Sequence, residues 1–168
     1  MNDDLLKLAV ALKDIKFTMF TTVGEEGNLY SRPMASLDID ERKFEGKLWF
    51  FTDIKSPKVQ NFENDQHVNL AYARPEDQKY ISVAGKAELV HDRAKMKELW
   101  TPVMKAWFPE GINDPSIGLI CVQVESAELW DSPPSKVVQL VGLAKALATG
   151  KRYDGEKYQH RIDVGGQH

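Results

Sequence analysis

A continuous apolar, aromatic run, Leu48-Trp49-Phe50-Phe51, is followed closely by Ser56-Pro57. The run is too short for a free-standing helix and rich in strand formers, so it reads as a buried strand. Thr52 and Asp53 end it. Ser56-Pro57 then reads as a helix start, with a hydroxyl N-cap and proline at the first helical position, where its missing N–H costs nothing. Lys58 falls in the first turn of that helix, where the macrodipole disfavours a cation. An anion held between the lysine and the free N–H groups of the helix end would reverse that penalty. Strand, hydroxyl-bearing loop, helix N-terminus and lysine together make a phosphate-binding arrangement. On these residues alone, a capped surface helix with a solvated lysine is the commoner outcome.

The rest of the chain reads as strands with short helices between them. Leu5, Leu8, Ala9 and Leu12 recur at helical spacing after Asn2 or Asp3 as N-cap. Residues 17–23 and 29–39 flank the turn Gly24-Glu25-Glu26-Gly27 and read as a hairpin. Arg32-Pro33 lies inside its second strand, and a proline there marks an edge, a bulge or an interruption. A charged connection, 38–46, leads to the strand 47–52. Residues 67–73 and 80–90 read as two more strands around Arg74-Pro75-Glu76-Asp77, with Gly85 as a bulge or close approach. Asp92 caps a helix carrying Met96, Leu99, Trp100, Val103, Met104 and Trp107, which Thr101-Pro102 breaks and restarts. Residues 117–130 form a long strand stopped by Pro133-Pro134. Residues 137–141 read as a last strand and 143–148 as a short helix ended by Gly150. The domain occupies residues 1–150, and 151–168 is a polar, loosely held tail.

Six or seven strands in antiparallel succession argue for a mainly β fold, a closed or partly closed barrel. There is no βαβ alternation, no GxGxxG and no Walker sequence, so a Rossmann or P-loop reading fails. The length of 168 residues suits one domain with a real core. A net charge of −3 and the lack of a basic block argue against nucleic acid. No apolar run approaches a membrane span, and the acidic, amphipathic start is no signal peptide, so cytoplasm is the expected compartment. The single cysteine, Cys121, excludes an internal disulfide framework and a cysteine zinc site. Mid-strand, it reads as an inert core residue.

Arg32, amid a mostly apolar strand, either reaches the surface or meets a fixed anion. If residues 29–37 pair with residues 47–52, Arg32 lies beside Thr52 and can share an anion with Lys58. The aromatics Trp49, Phe50, Phe51, Trp100, Trp107, Phe108 and Trp130 could floor a planar cofactor, although ordinary core is the commoner role for any one of them. His67, His91, His160 and His168 lack ligand spacing, so a metal site is not expected. No Ser/His/Asp set stands out and no catalytic residue can be named. Any redox chemistry has to come from a cofactor.

These residues resemble the general stress protein 26 group of the pyridoxamine 5′-phosphate oxidase-like, FMN-binding split barrels. The motifs are Ser31-Arg32-Pro33-Met34-Ala35, Trp49-Phe50-Phe51-Thr52-Asp53 through Ser56-Pro57-Lys58, Val83-Ala84-Gly85-Lys86-Ala87, Trp107-Phe108-Pro109-Glu110-Gly111, Ala127-Glu128-Leu129-Trp130-Asp131, and Ala144-Lys145-Ala146-Leu147-Ala148-Thr149-Gly150. The resemblance implies a six-stranded antiparallel Greek-key split β-barrel, a homodimer with two FMN sites at the subunit interface. It implies that Arg32 and Lys58 bind the FMN phosphate with help from Ser56. Phe51 and Thr52 would line the flavin, Pro33 and Met34 would lie along its ring, and Trp107 would be contributed by the other subunit. The expected function is a flavin-dependent oxidoreductase, with a non-catalytic flavin carrier or redox sensor as the alternative. Haem, which some split barrels take, would want an axial ligand, and no histidine is well placed for it. One departure stands out. True pyridoxamine phosphate oxidases carry a C-terminal tryptophan and a substrate-phosphate arginine, whereas residues 151–168 hold Arg152 and Arg161 but no tryptophan. The resemblance therefore does not extend to vitamin B6 oxidation.

Overall fold

The computed structural model describes residues 3–131, 136–151 and 159–164. Its elements are α1 (Asp3–Leu12), β1 (Phe17–Val23), β2 (Leu29–Ala35), β3 (Lys47–Asp53), α2 (Pro57–Asn64), β4 (His67–Arg74), β5 (Lys79–Val90), α3 (Arg93–Leu99), β6 (Ile117–Trp130), α4 (Lys136–Thr149) and β7 (Gln159–Asp163). Every strand pairing is antiparallel, in the order β2-β1-β4-β5-β6-β3, with β7 added beside β6. β1 beside β4 and β3 beside β6 are the non-sequential neighbours that a Greek key requires.

Alternation along the strands explains why the sheet curls. Thr18, Phe20 and Thr22 of β1, Val68, Leu70 and Tyr72 of β4, and Leu48, Phe50 and Thr52 of β3 are all buried. The residues between them mostly face outward, as the two-residue strand period demands. The inward set joins one apolar core with Leu8, Leu12, Val59 and Phe62 from the helices. Phe20 and Phe50 meet edge to face at 5.4 Å, although β1 and β3 are not sheet neighbours. That contact brings the two ends of the sheet round into a split barrel. A smaller core, Phe51, Met96, Met104, Ile117 and Leu119, forms outside the barrel wall under α3 and the turn after it.

Several local expectations are met. Pro33 sits on an edge strand, β2. The β5–β6 register shifts between Ala84 and Gly85. A Cβ on Gly85 would stand 2.3 Å from the Gln123 carbonyl oxygen, so the close approach needs glycine. Asp92 caps α3 by accepting from Lys95 N at 3.0 Å. The chain restarts at Pro102 as a 3-10 turn, Pro102–Ala106.

Four expectations are corrected. β2 does not pair with β3; it pairs with β1, while β3 pairs with β6. β2 also stops at Ala35, because its partner β1 begins at Phe17, the residue opposite. Residues 137–141 are not a strand but lie within α4, where the Ala-, Leu- and Lys-rich sequence downstream propagates helix. Residues 159–163, read as part of a loose tail, form β7, with Ile162 opposite Ala127 and buried. β6 is long enough to hold β3 along its first half and β7 along its second. The Asn2 cap and the Pro133-Pro134 stop fall outside the described residues. Among the described residues, no helix is long and apolar enough to cross a membrane.

Candidate functional site

The end of β3 and the start of α2 are pinned before any functional side chain is placed. Asp53 Oδ1 accepts from Lys55 N at 2.8 Å. Its carbonyl accepts from Ser56 N at 3.1 Å, and Ile54 N donates to Ser116 O at 2.9 Å. Ser56 takes the N-cap position with Pro57 next, as expected, but its hydroxyl makes no capping bond. The hydroxyl lies 3.4 Å from Thr52 Oγ1 instead. The first N–H groups of an α-helix have no intrahelical acceptor, and this helix leaves its N-cap hydroxyl uncommitted to them.

Val59 and Phe62 bury one face of α2 in the barrel core, and that docking turns Lys58 toward β1 and β2. Arg32, opposite Phe20 on the inner face of β2, donates from Nη1 to Thr22 Oγ1 at 2.7 Å and to Phe20 O at 3.3 Å. Asn61, one turn beyond Lys58, donates from Nδ2 to the same Thr22 oxygen at 3.0 Å. The fully buried Thr22 hydroxyl thus ties the arginine strand to the lysine helix.

Electrostatics mark this corner as cation-rich and undercompensated. Burial lowers the Arg32 guanidinium pKa. Burial also lowers the Lys58 ammonium pKa, the neighbouring Arg32 charge lowers it further, and Asp53 offsets part of that. Among the described residues, neither cation has a carboxylate within ion-pair distance. Two half-buried cations that destabilise each other, beside two hydroxyls and a helix N-terminus, form a receptor for a multiply charged anion.

Arg32, Thr52, Ser56 and Lys58 are therefore brought together, although the strand pairing expected to do it is absent. The barrel's curl brings β2 round to β3 across the split. Met34 shares the inner face with Arg32 and is buried, while Pro33 points to the outer face and is exposed. Phe51 faces away from Thr52, as adjacent strand residues must. It packs edge to face on Trp100 at 5.4 Å and on Phe108 at 6.4 Å. Trp107 is 52% exposed, and no contact among the described residues joins it to the Arg32–Lys58 group. The sequence reading missed Thr22 and Asn61. Asn61 was within reach, three positions after Lys58 on the expected helix and so on the same face. Thr22 required the β1–β2 register.

Comparison with known proteins agrees with this architecture. Residues 3–154 match the model of the family described as pyridoxamine 5′-phosphate oxidase like. The chain is 30% identical over 145 residues to Protein bli-3 of Neurospora crassa, covering 81% of this chain and 68% of that one. The general stress FMN/FAD binding protein of Xanthomonas citri superposes with a TM-score of 0.68 at 25% identity, covering 80% of this chain and 93% of the other. A chain from Jannaschia sp. CCS1 shares the fold nearly end to end, with a TM-score of 0.72 at 23% identity and coverage of 97% and 99%. By its matched length and its split-barrel fold, the chain belongs to the pyridoxamine 5′-phosphate oxidase-like family of general stress proteins.

Proposed function

We propose that the protein binds FMN as a homodimer and acts in the cytoplasm as a flavin-dependent oxidoreductase of the general stress type. The observation that carries this reading is the pair of half-buried cations, Arg32 on β2 and Lys58 at the start of α2, which have no carboxylate partner among the described residues. A phosphate monoester fits them in charge, and the Ser56 hydroxyl can donate to its oxygens, while the buried Thr52 hydroxyl donates to Asp53 O at 3.2 Å. The similarity to a protein named for FMN/FAD binding supports a flavin as the bearer of that phosphate.

In this reading Arg32 and Lys58 hold the phosphate, with Ser56 completing the cradle. Thr22 and Asn61 keep the guanidinium and the helix in register. Met34 supplies an apolar wall along β2. The ring's outer neighbours, Trp107 among them, come from the partner subunit. Bound flavin would supply hydride or single-electron exchange. The dimer is supported by the outward sheet face, where Phe17, Met19, Leu29, Tyr80 and Trp130 are exposed around Ala71, Ala73, Ser82 and Ala84. Exposed apolar side chains gathered on one sheet face are what an interaction surface presents.

The test is an absorbance spectrum of the purified protein after FMN addition and desalting. Flavin bands retained in stoichiometric amount support the reading, and a colourless protein overturns it. A flavin carrier or redox sensor is the second reading, because Arg32, Lys58 and Ser56 are groups that bind an anion and need not take part in turnover. NAD(P)H-driven turnover on an acceptor separates the two: the oxidoreductase turns over, the carrier binds without turnover.

A further inference from the structure

The phosphate corner continues past Arg32 along β2. Tyr30 lies two residues before Arg32, so the two side chains share the inner face, about 7 Å apart along the strand. Tyr30 is opposite Thr22, whose hydroxyl accepts from Arg32 Nη1 at 2.7 Å. β2 is an edge strand, and here the Tyr30 side chain is 50% exposed.

The exposed ring is nonetheless held in place. A Cβ on Gly24 would collide with Cε2 and Cδ2 of Tyr30, the latter at 2.7 Å, so one edge of the ring packs directly on the glycine. Gly24 itself is extended, with φ −95° and ψ −164°, a backbone that any residue adopts. The ring, not the turn, needs glycine there. The hairpin tip beneath it is closed by Gly24 N donating to Asn28 O at 2.7 Å and Asn28 N donating to Glu25 O at 3.2 Å. An aromatic ring fixed at one edge and half exposed is a platform for stacking.

Donors remain between this platform and the corner. Arg32 uses Nη1 for both of its bonds, to Thr22 Oγ1 and Phe20 O, which leaves Nε and Nη2 for an anion. Two cations, Arg32 and Lys58, match two singly charged phosphates as well as one doubly charged phosphate. Past them the tip carries Glu25 and Glu26, so its outer end suits a neutral base and opposes a further phosphate.

We propose that Tyr30 is a base-stacking subsite, so that the flavin site takes a dinucleotide, with the diphosphate on Arg32 and Lys58 and the adenine on the Tyr30 ring. The flavin half of this assignment rests on the reading of the site as a flavin site; the adenine half rests on Tyr30.

The test is calorimetric titration of the flavin-free full chain with FMN, FAD and ADP. Both flavins should bind. Tyr30→Ala should weaken FAD about tenfold and leave FMN unchanged. Tyr30→Trp should keep wild-type FAD affinity, since stacking needs the ring and not the hydroxyl. Gly24→Ala, which displaces the ring and keeps the backbone bonds of the tip, should lower FAD affinity alone. Thermal midpoints of the flavin-free variants should stay near wild type. FAD affinity that survives Tyr30→Ala, equal losses of FMN and FAD, or FMN binding without FAD binding would each overturn the proposal. ADP separates the two readings. A protein that binds neither flavin removes the flavin reading, and ADP affinity lost in Tyr30→Ala then keeps the subsite. ADP that fails to bind, or binds both proteins alike, removes the subsite as well.

Discussion

The two ends of β3 share one strand and offer opposite chemistry. At the Lys47 end, a cavity lined by Leu37, Phe44 and Trp49 has charges of both signs paired at its rim. At the Asp53 end, Arg32 and Lys58 face one another with no paired carboxylate among the described residues. Charge content does not separate them, since the cavity mouth carries more charged side chains than the phosphate corner. Compensation does. A paired charge has spent its field locally, whereas two like charges held together by the fold create a demand that only an anion can meet. Between the ends lies Phe50, whose ring on Phe20 fixes the curl that both depend on.

The comparison breaks most severely at that shared point. Phe50→Ala removes a ring buried in the barrel and should cost roughly 3–5 kcal/mol of stability. Urea unfolding should show the loss, and FMN binding should fall with it. Unchanged FMN affinity in a folded Phe50→Ala protein would show that the phosphate corner does not depend on this contact.

The next effects confine themselves to one end. Arg32→Ala and Lys58→Ala should each weaken FMN binding by about 1.5–3 kcal/mol and leave riboflavin, which lacks the phosphate, unchanged in fluorescence titrations. Equal losses for both ligands would move the phosphate elsewhere. Raising pH should reproduce the Lys58 loss gradually. Because the lysine pKa is lowered in the folded protein, FMN affinity should hold below that lowered value and fall as pH rises through it. Over the window up to the ordinary lysine pKa, the unfolded chain binds more protons than the folded one. The stability of the FMN-free protein should therefore rise with pH there. Lys58→Arg should flatten both trends.

Smaller effects sharpen the same boundary. Thr22→Val removes the oxygen shared by Arg32 and Asn61 and should cost FMN about 1 kcal/mol. Thr22→Ser should restore most of it, and riboflavin should again be indifferent. Trp107→Ala, at an exposed position, should shift FMN-free stability by no more than about 0.5 kcal/mol. If the partner subunit presents this ring to the flavin, FMN quantum yield should still change.

How much of this was legible in the sequence depended on how local each cause is. The strand bounds at 17–23 and 117–130 followed from β-rich apolar runs, and the α2 start followed from Ser56-Pro57. Arg32 and Lys58 were legible because each breaks a local rule, a cation in an apolar strand or in a helix's first turn, and Ser56 because it follows one, as the N-cap before Pro57. The supposed β2–β3 pairing was wrong, yet Arg32 and Lys58 still met, because closure of the barrel does what a ladder would have done. β7 was invisible: Gln159-His160-Arg161-Ile162-Asp163 holds one apolar residue, and its pairing depends on the unfilled edge of a distant strand. Val137 to Val141 misled for the converse reason, since β-propensity is decided by the partners a segment finds.

The sequence by itself determined most of the elements, their turns and the residues at odds with their surroundings, because capping, proline placement and side-chain period act over a few residues. Only the tertiary structure decided which face of β3 carries Phe51, that Thr22 joins Arg32 to Asn61, and that the rim charges of the cavity find partners. Those outcomes depend on strand order and curvature, which gather residues far apart in the chain, and no local rule records them.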